Sequence, residues 1–555
     1  MDTRKLLLAY ALENSTKYNG KVNLGSVIGK IYSDEELKKN PKHYIEEAKK
    51  IVNEVNSMNL EQQLKLYEEL KSLIEKPKEE YNLFDFLGIK QGEKIITAFP
   101  PEPSKYPHIG HAKSIIINYE LAKQSHGKFI LRFDDSNPKQ AKKEFYNVHL
   151  ENYKWLGIKF DKIDYASKHM NEFYKHAELL IKKNHAYVCL CKQEIIKKNR
   201  FKGIPCAHRN YSVSENLKLW KKMNKMKEGS AVLRIKIDLK HKNTTMRDPA
   251  IIRIIKAKHP LLSSKYKLWP TYDFETAIMD GLQGITHRIR SKEFELRSEL
   301  QHYLQKLLGF KETRTYEYAR FNLEGTESSG RIIREKIRKK QLIGWDDPSL
   351  TTIVALRRRG FLAKSIYEFV LSTGISKAES TLTWDSLITF NRKIIDSIAN
   401  RYFFIENPVK IKIKNSPKLD IELNLHPDYD RGKRKFKTKE EFYISKKDYK
   451  ELKNNNLYRL MDCLNFIKKG NKFIYDSREY EIYKEKGYKI MHWLPVQKDL
   501  VKIEVFMPNH EIKKGLGEPL IKKLKLNDVI QFERFGFCKL DKKNSGKLVF
   551  WYTHN

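Results

Sequence analysis

The chain has 555 residues, 40% of them hydrophobic and 32% charged, and 108 Lys and Arg against 69 Asp and Glu leave a net charge of +39. Single hydrophobic cores stop growing at roughly 250 to 300 residues, so three to five domains are expected. No run of about 18 uncharged apolar residues occurs, which excludes a membrane-spanning helix, and five cysteines cannot staple a chain this long into a disulfide scaffold.

The N-terminus MDTRKLLLAYALENSTKYNG carries only a short apolar run and no small-residue cleavage pattern, so a cytoplasmic protein is expected. The cationic excess is spread along the chain and favours a polyanionic partner, because each neutralised phosphate releases condensed counterions. A generally lysine-rich composition would leave the same charge.

Residues 1–90 read as a helical domain: in the stretch ending at Lys76, Ile51, Val52, Val55, Met58, Leu60, Leu64, Leu66 and Leu70 recur at mostly two- to four-residue spacing. From residue 94, KIITAFP reads as a strand, followed by a Pro-rich turn, the helix HAKSIIINYELAKQSHG with Gly127 as its stop, and the strand KFILRF ending in Asp134 and Asp135. That is a βαβ unit, which predicts a parallel sheet with a ligand at its strand ends. The region 185–265 is mixed, holds a cysteine cluster and reads as an insertion; 266–345 returns to strand and helix; 346–400 reads helical; 401–555 reads as short alternating strands, one or two β-barrels.

Two histidines three apart, His108 and His111, sit in FPPEPSKYPHIGHAKS where the helix begins. Metal ligation lacks a third ligand nearby. A helix N-terminus offers free N–H groups and partial positive charge, so phosphate binding is the leading reading, with Gly110 allowing close backbone approach; helix capping and packing are the structural alternative. Cys189, Cys191, Cys206 and His208 form C-x-C followed by C-x-H, a donor set that suits tetrahedral structural zinc.

FPPEPSKYPHIGHAK, LRFDDSNP, WPTYDF, GITHRIRSKEF, GWDDP and LRRRG, in this order, resemble the class I aminoacyl-tRNA synthetases for glutamate and glutamine, and within them the archaeal glutamyl enzymes. The resemblance runs over nearly the whole chain. It implies a Rossmann-like catalytic domain (91–184 and 266–345) with an acceptor-binding insertion (185–265), a helical N-terminal domain, a stem-contact region (346–400), and two β-barrels for the anticodon, the nearer interrupted by the farther. It implies a glutamate–tRNA ligase using ATP with Mg2+, L-glutamate and tRNA-Glu, with charging of tRNA-Gln left open, and a monomer.

Residue by residue, the resemblance assigns His108 and His111 to the ATP α-phosphate. Glu102, Pro103, Ser104, Gly110, Ser114, Ser291, Arg320 and Phe321 fall among the ATP contacts, Asp134 on the substrate ammonium, and Tyr272 and Arg290 on the substrate side chain. Arg290 favours a γ-carboxylate over an amide, because a carboxylate needs a fixed positive fork. Two departures stand out. Ala98 replaces an arginine that many relatives carry. The second catalytic loop reads NLEGTESSGRI, keeping Ser329 but placing Gly330 where relatives have a lysine; Arg331, Arg334 or Lys336 are the expected substitutes, with Arg331 grouped among the catalytic residues. Basic runs and the aromatics Tyr402, Phe403, Phe404 and Phe436 suggest anticodon stacking. The rivals are a glutaminyl-tRNA synthetase and a non-catalytic tRNA-binding paralogue.

Overall fold

The computed structural model describes residues 3–17, 20–34, 37–74, 84–90, 92–379, 381–544 and 546–555. Its contacts divide into two units, Met1–Ile89 and Lys90–Asn555.

The first unit holds four helices, α1 (Thr3–Lys17), α2 (Leu24–Ser33), α3 (Pro41–Ser57) and α4 (Leu60–Leu70). Leu7, Leu12, Val27, Ile31, Ile51 and Val55 form its core. The expected apolar stripe is only partly kept in α4: Leu66 and Leu70 pack against this core, whereas Leu60 and Leu64 are 44% and 46% exposed. Asn59 opens a new helix through a capping box with Gln62, which resets the register. The buried residue of α4 is polar: Gln63 donates to the carbonyl of Val55 at 2.8 Å at the end of α3. The end of the expected helical stretch, residues 75–76, lies outside the described residues.

In the second unit, β1 (Ile96–Phe99), α5 (Ile109–Gln124), β2 (Lys128–Phe133), α6 (Lys143–Trp155), β3 (Lys162–Tyr165) and α7 (Met170–Lys182) alternate as expected for βαβ winding. Gly127 is not the helix stop. His126 takes the left-handed position at φ 50, and Gly127 closes the turn by donating to Ala122 O at 2.8 Å. Its missing side chain serves the next step instead: a Cβ there would meet Ile95 O at 1.8 Å.

The chain then leaves the sheet for β4 (Ala186–Cys189), α8 (Gln193–Lys202), α9 (Val213–Met223), β5 (Val232–Ile235), β6 (Ala250–Ile254) and β7 (Leu268–Pro270), whose strands form an antiparallel sheet in simple order. It returns through α10 (Tyr272–Gln283), β8 (His287–Ser291), α11 (Glu295–Leu308) and β9 (Arg314–Tyr318). The completed sheet has order β3-β2-β1-β8-β9 and every pairing is parallel. This is a Rossmann-like α/β fold. Helices α12 (Gly330–Arg338), α13 (Ile353–Arg359), α14 (Ala363–Ser372) and α15 (Trp384–Ile395) follow.

Among the described residues, the remaining chain forms two seven-stranded sheets, each with its own core, and a two-stranded ribbon of Asp420–Asn424 with Lys433–Lys437. One combines Asn400–Tyr402 and Phe404–Glu406 with strands between Val501 and His554; the other, from Pro408 to Pro495, interrupts it. The aromatics expected to stack on bases belong to these cores: Tyr402, Phe403, Phe404 and Phe436 are 0 to 4% exposed. Tyr402 and Phe404 turn into one core, and Phe403 between them turns into the other with Phe436. Among the described residues, no helix is long and apolar enough to cross a membrane.

Candidate active site

In an open parallel sheet, ligands bind beyond the carboxyl ends of the strands where the strand order reverses. Here the chain winds from β1 outward to β2 and β3 on one side, and from β8 to β9 on the other, so the crevice falls between β1 and β8. A cavity of about 560 Å³ opens there. It gathers Glu102, Ser104, Gly110, Ser114, Asp134, Tyr272, Arg290, Ser291, Arg320, Phe321 and Ser329 around the two histidines. Asn118 of α5 holds the crevice to its neighbour strand, donating to Ile289 O at 2.7 Å and accepting Ile289 N–H at 3.1 Å.

His108 is the N-cap of α5. Its Nδ1 accepts Gly110 N–H at 3.1 Å, and His111 Nδ1 accepts His108 N–H at 3.3 Å. With both Nδ1 atoms acting as acceptors, each neutral ring carries its proton on Nε2. Burial, with Lys105 and Arg320 nearby, depresses His108 to about 3, and burial beside His108 holds His111 well below its usual value. Two neutral Nε2–H groups at a helix N-terminus form a donor set suited to an oxyanion rather than to proton exchange near neutrality. A Cβ on Gly110 would lie 2.9 Å from the His108 ring, so the folded-back imidazole requires glycine there.

A third histidine, His149 of α6, stacks edge-on to His111 and escaped the sequence reading. It makes no metal triad, since Nδ1 meets Tyr153 Oη at 2.7 Å and Nε2 meets Lys105 O at 2.9 Å. The Pro-rich turn is tied on several sides: Pro103 O accepts Lys142 N–H at 2.9 Å, Ser104 O accepts from Arg334 at 2.9 Å, and Pro107 O accepts Ile353 N–H at 2.9 Å. Pro103 is buried in that framework and does not line the cavity.

Asp134 follows β2 with Ser136 Oγ donating to it at 2.8 Å, and burial raises its carboxyl to about 6. Across the cavity, Arg290 at the end of β8 is 7% exposed. It donates to Gln301 Oε1 at 2.9 Å and Ser298 Oγ at 2.6 Å, and among the described residues no carboxylate pairs with it. Its Nε has no partner. Arg288, missed by the sequence reading, differs: it pairs with buried Asp280, which also binds Arg132 at 2.8 Å. Tyr272 opens α10 and stands beside Phe294. Ala98 lies on the floor of the cavity near Arg288 and Arg290.

Ser114 hydrogen-bonds Tyr318 at the end of β9, fixing α5 against that strand. Of the second loop, Ser328 and Ser329 line the cavity, and Ser329 is the N-cap of α12. Arg331 points outward from the first turn of that helix and does not line the cavity.

Cys189, Cys191, Cys206 and His208 come together away from the crevice, with all four ligand atoms within 4.8 Å of one another. Cys189 and Cys206 sulfurs are 3.7 Å apart, and Cys191 Sγ is 3.5 Å from His208 Nδ1. A tetrahedral zinc with its usual bond lengths has S···S edges of about 3.8 Å and S···N edges of about 3.6 Å. Those two edges match such an ion, and the four donors are gathered closely enough to surround it. No other group of three or more candidate ligands occurs among the described residues.

Comparison with known proteins identifies the family. A family model described as tRNA synthetases class I (E and Q), catalytic domain, matches residues 94–397. Two anti-codon binding domain models of the same class match 399–483 and 490–541. The chain belongs to the class I tRNA synthetases for glutamate and glutamine. It is 40% identical to the glutamate–tRNA ligases of Pyrococcus furiosus and Pyrococcus horikoshii, and 36% identical to that of Methanocaldococcus jannaschii, covering 99 to 100% of both chains in each case.

Proposed function

We infer that the chain is a glutamate–tRNA ligase. It activates L-glutamate with ATP to glutamyl-adenylate and pyrophosphate, then transfers the glutamyl group to the 3′-terminal adenosine of tRNA-Glu. The α-carboxylate attacks the α-phosphorus in line and pyrophosphate leaves. His108 and His111 Nε2–H and the free N–H groups of α5 stabilise the charge that builds on the α-phosphate oxygens. Asp134 holds the ammonium group, and Tyr272 and Arg290 hold the side chain. Ser114, Ser291, Arg320, Phe321, Glu102, Pro103 and Ser104 form or support the ATP face, and Ser329 stands at the edge of that face. Mg2+ enters with ATP and neutralises phosphate charge.

The observation that carries the choice of amino acid is Arg290, a buried guanidinium with an unpartnered Nε and no carboxylate of its own, on the cavity that holds the two histidines. A neutral amide would leave that charge uncompensated. The test is amino-acid-dependent ATP–pyrophosphate exchange in the presence of tRNA: glutamate should support it, and exchange with glutamine exceeding that with glutamate would overturn the reading. Loss of exchange with tight tRNA binding retained would identify a non-catalytic tRNA-binding protein.

The Cys189, Cys191, Cys206 and His208 cluster holds one structural Zn2+ with no open position, bracing the 185–265 insertion that receives the tRNA acceptor end. Residues 1–90 form a helical accessory domain, 91–184 and 266–345 the catalytic domain, 346–400 the stem contact, and 401–555 the anticodon domains. The working form is a cytoplasmic monomer.

A further inference from the structure

We propose that Lys105, in the first catalytic turn, supplies the cation that holds the β- and γ-phosphates of ATP, in place of a side chain from the second loop. The proposal rests on the ATP-dependent reading above.

Lys105 lines the cavity with its Nζ 3.5 Å from His108 Nε2. That approach is donor to donor. His108 Nδ1 is taken by Gly110 N–H, so the proton of the neutral ring is on Nε2, and an ammonium has only protons to offer. Two donors facing each other with no acceptor between them are arranged for an anion. Among the described residues, the Lys105 ammonium donates to one acceptor, Ser328 O at 3.4 Å, and that bond is long and points to the second loop. Among the described residues, no carboxylate forms an ion pair with Lys105. Burial lowers its pKa against the attraction of Glu102 and Glu293.

The second loop makes room for this lysine. A Cβ on Gly330 would lie 2.9 Å from Lys105 Cδ and 3.2 Å from its Cβ. Any side chain at 330 therefore competes with the Lys105 stem for one volume. Around it, the turn is braced on both flanks: His149 Nε2 reaches Lys105 O at 2.9 Å, and Arg334 reaches Ser104 O at 2.9 Å. Tyr106 stacks on Trp345 with ring centroids 5.3 Å apart. A lysine on a rigid turn is positioned before ATP arrives, whereas Arg331 lies on the outer side of α12. One amine fills the space in front of Gly330, and its charge is on the cavity side of the loop.

The test is steady-state ATP–pyrophosphate exchange with glutamate and tRNA-Glu for the wild type, Lys105→Met, Arg331→Ala, and the double variant Lys105→Gly with Gly330→Lys. Thermal melting and tRNA binding serve as folding controls. Lys105→Met should lower kcat/KM for ATP by about 10²-fold, the scale for one charge-stabilising donor, and weaken inhibition by pyrophosphate in parallel while leaving KM for glutamate within about threefold. The double variant should recover at least tenfold of that loss, because the amine returns to the same space from the opposite loop. A purely structural role for Lys105 would show as a lowered melting temperature with no rescue, and would overturn the proposal. Lys105→Met retaining wild-type ATP kinetics while Arg331→Ala loses them would also overturn it. An inactive wild type would instead sink the ligase reading beneath it.

Discussion

Asn118 in α5 exchanges two hydrogen bonds with the backbone of Ile289 in β8, at 2.7 and 3.1 Å. The helix that begins with the two histidines is thereby fastened to the strand that carries Arg290, so the two sides of the crevice share one brace. Asn118→Ala leaves a buried N–H and C=O unpaired, at about 1 to 3 kcal/mol each. The expected outcome is a loss of about 3 kcal/mol in chemical denaturation, together with a fall in kcat; unchanged stability would remove this brace from the account.

Arg290→Met removes the fork for the γ-carboxylate. Breaking a buried charge pair costs about 2 to 5 kcal/mol, which predicts a drop of about 10²- to 10³-fold in kcat/KM for glutamate and a much smaller effect on KM for ATP. Initial-rate kinetics with glutamate and glutamine measure the change in preference, which should shift toward glutamine relative to the wild type.

Asp134 must be ionised to hold an ammonium group, and burial raises its pKa from 3.8 to about 6. Below that value the free protein carries a neutral acid. Log kcat/KM for glutamate should therefore fall with unit slope as pH drops below about 6. His108, depressed to about 3, is neutral on both sides of that limb and adds none of its own. In Asp134→Asn the limb should vanish along with most of the activity, read from the pH profile.

His111→Ala removes one Nε2–H donor and should cost about 10²- to 10³-fold in the rate of adenylate formation. His111→Gln, which keeps an N–H donor, should recover part of that loss. A proton-transfer role predicts the opposite, with no rescue by the amide, and single-turnover measurements distinguish the two.

Metal analysis of the purified chain should find one zinc. Replacing Cys191 or His208 with alanine should weaken retention by more than the 10- to 100-fold typical of a change beyond the ligands themselves. Chelation should expose the sheet carrying Cys189 to proteolysis before the crevice is affected, because the cluster lies in the insertion.

Much of this was legible along the chain because the information is local. The βαβ alternation, the N-terminal turn of α5, the paired C-x-C and C-x-H, and the alternating strands of the tail are all periodic or adjacent in sequence. The differences fall where local pattern meets a boundary: Leu60 and Leu64 keep their spacing across a helix break that rotates them to solvent, and the aromatics Tyr402 to Phe404 are buried because a core lies on each side of that segment, which no local pattern shows. His126, not Gly127, takes the left-handed position, and Gly127 is required instead by the close approach of Ile95.

By itself, the sequence determined the class of chemistry: a histidine-capped helix N-terminus, an acid after β2, an arginine ending β8, and four soft metal donors. Tertiary structure decided which charges stand alone. Arg288 and Arg290 are two residues apart and line one crevice, yet the first is neutralised by Asp280 while the second has no carboxylate partner among the described residues. Lys105 and Gly330 are 225 positions apart, and only folding puts the stem of one into the space the other leaves. The reason is physical: residue type fixes what a group can donate or accept, but whether a charge is already paired depends on through-space neighbours that lie far away along the chain.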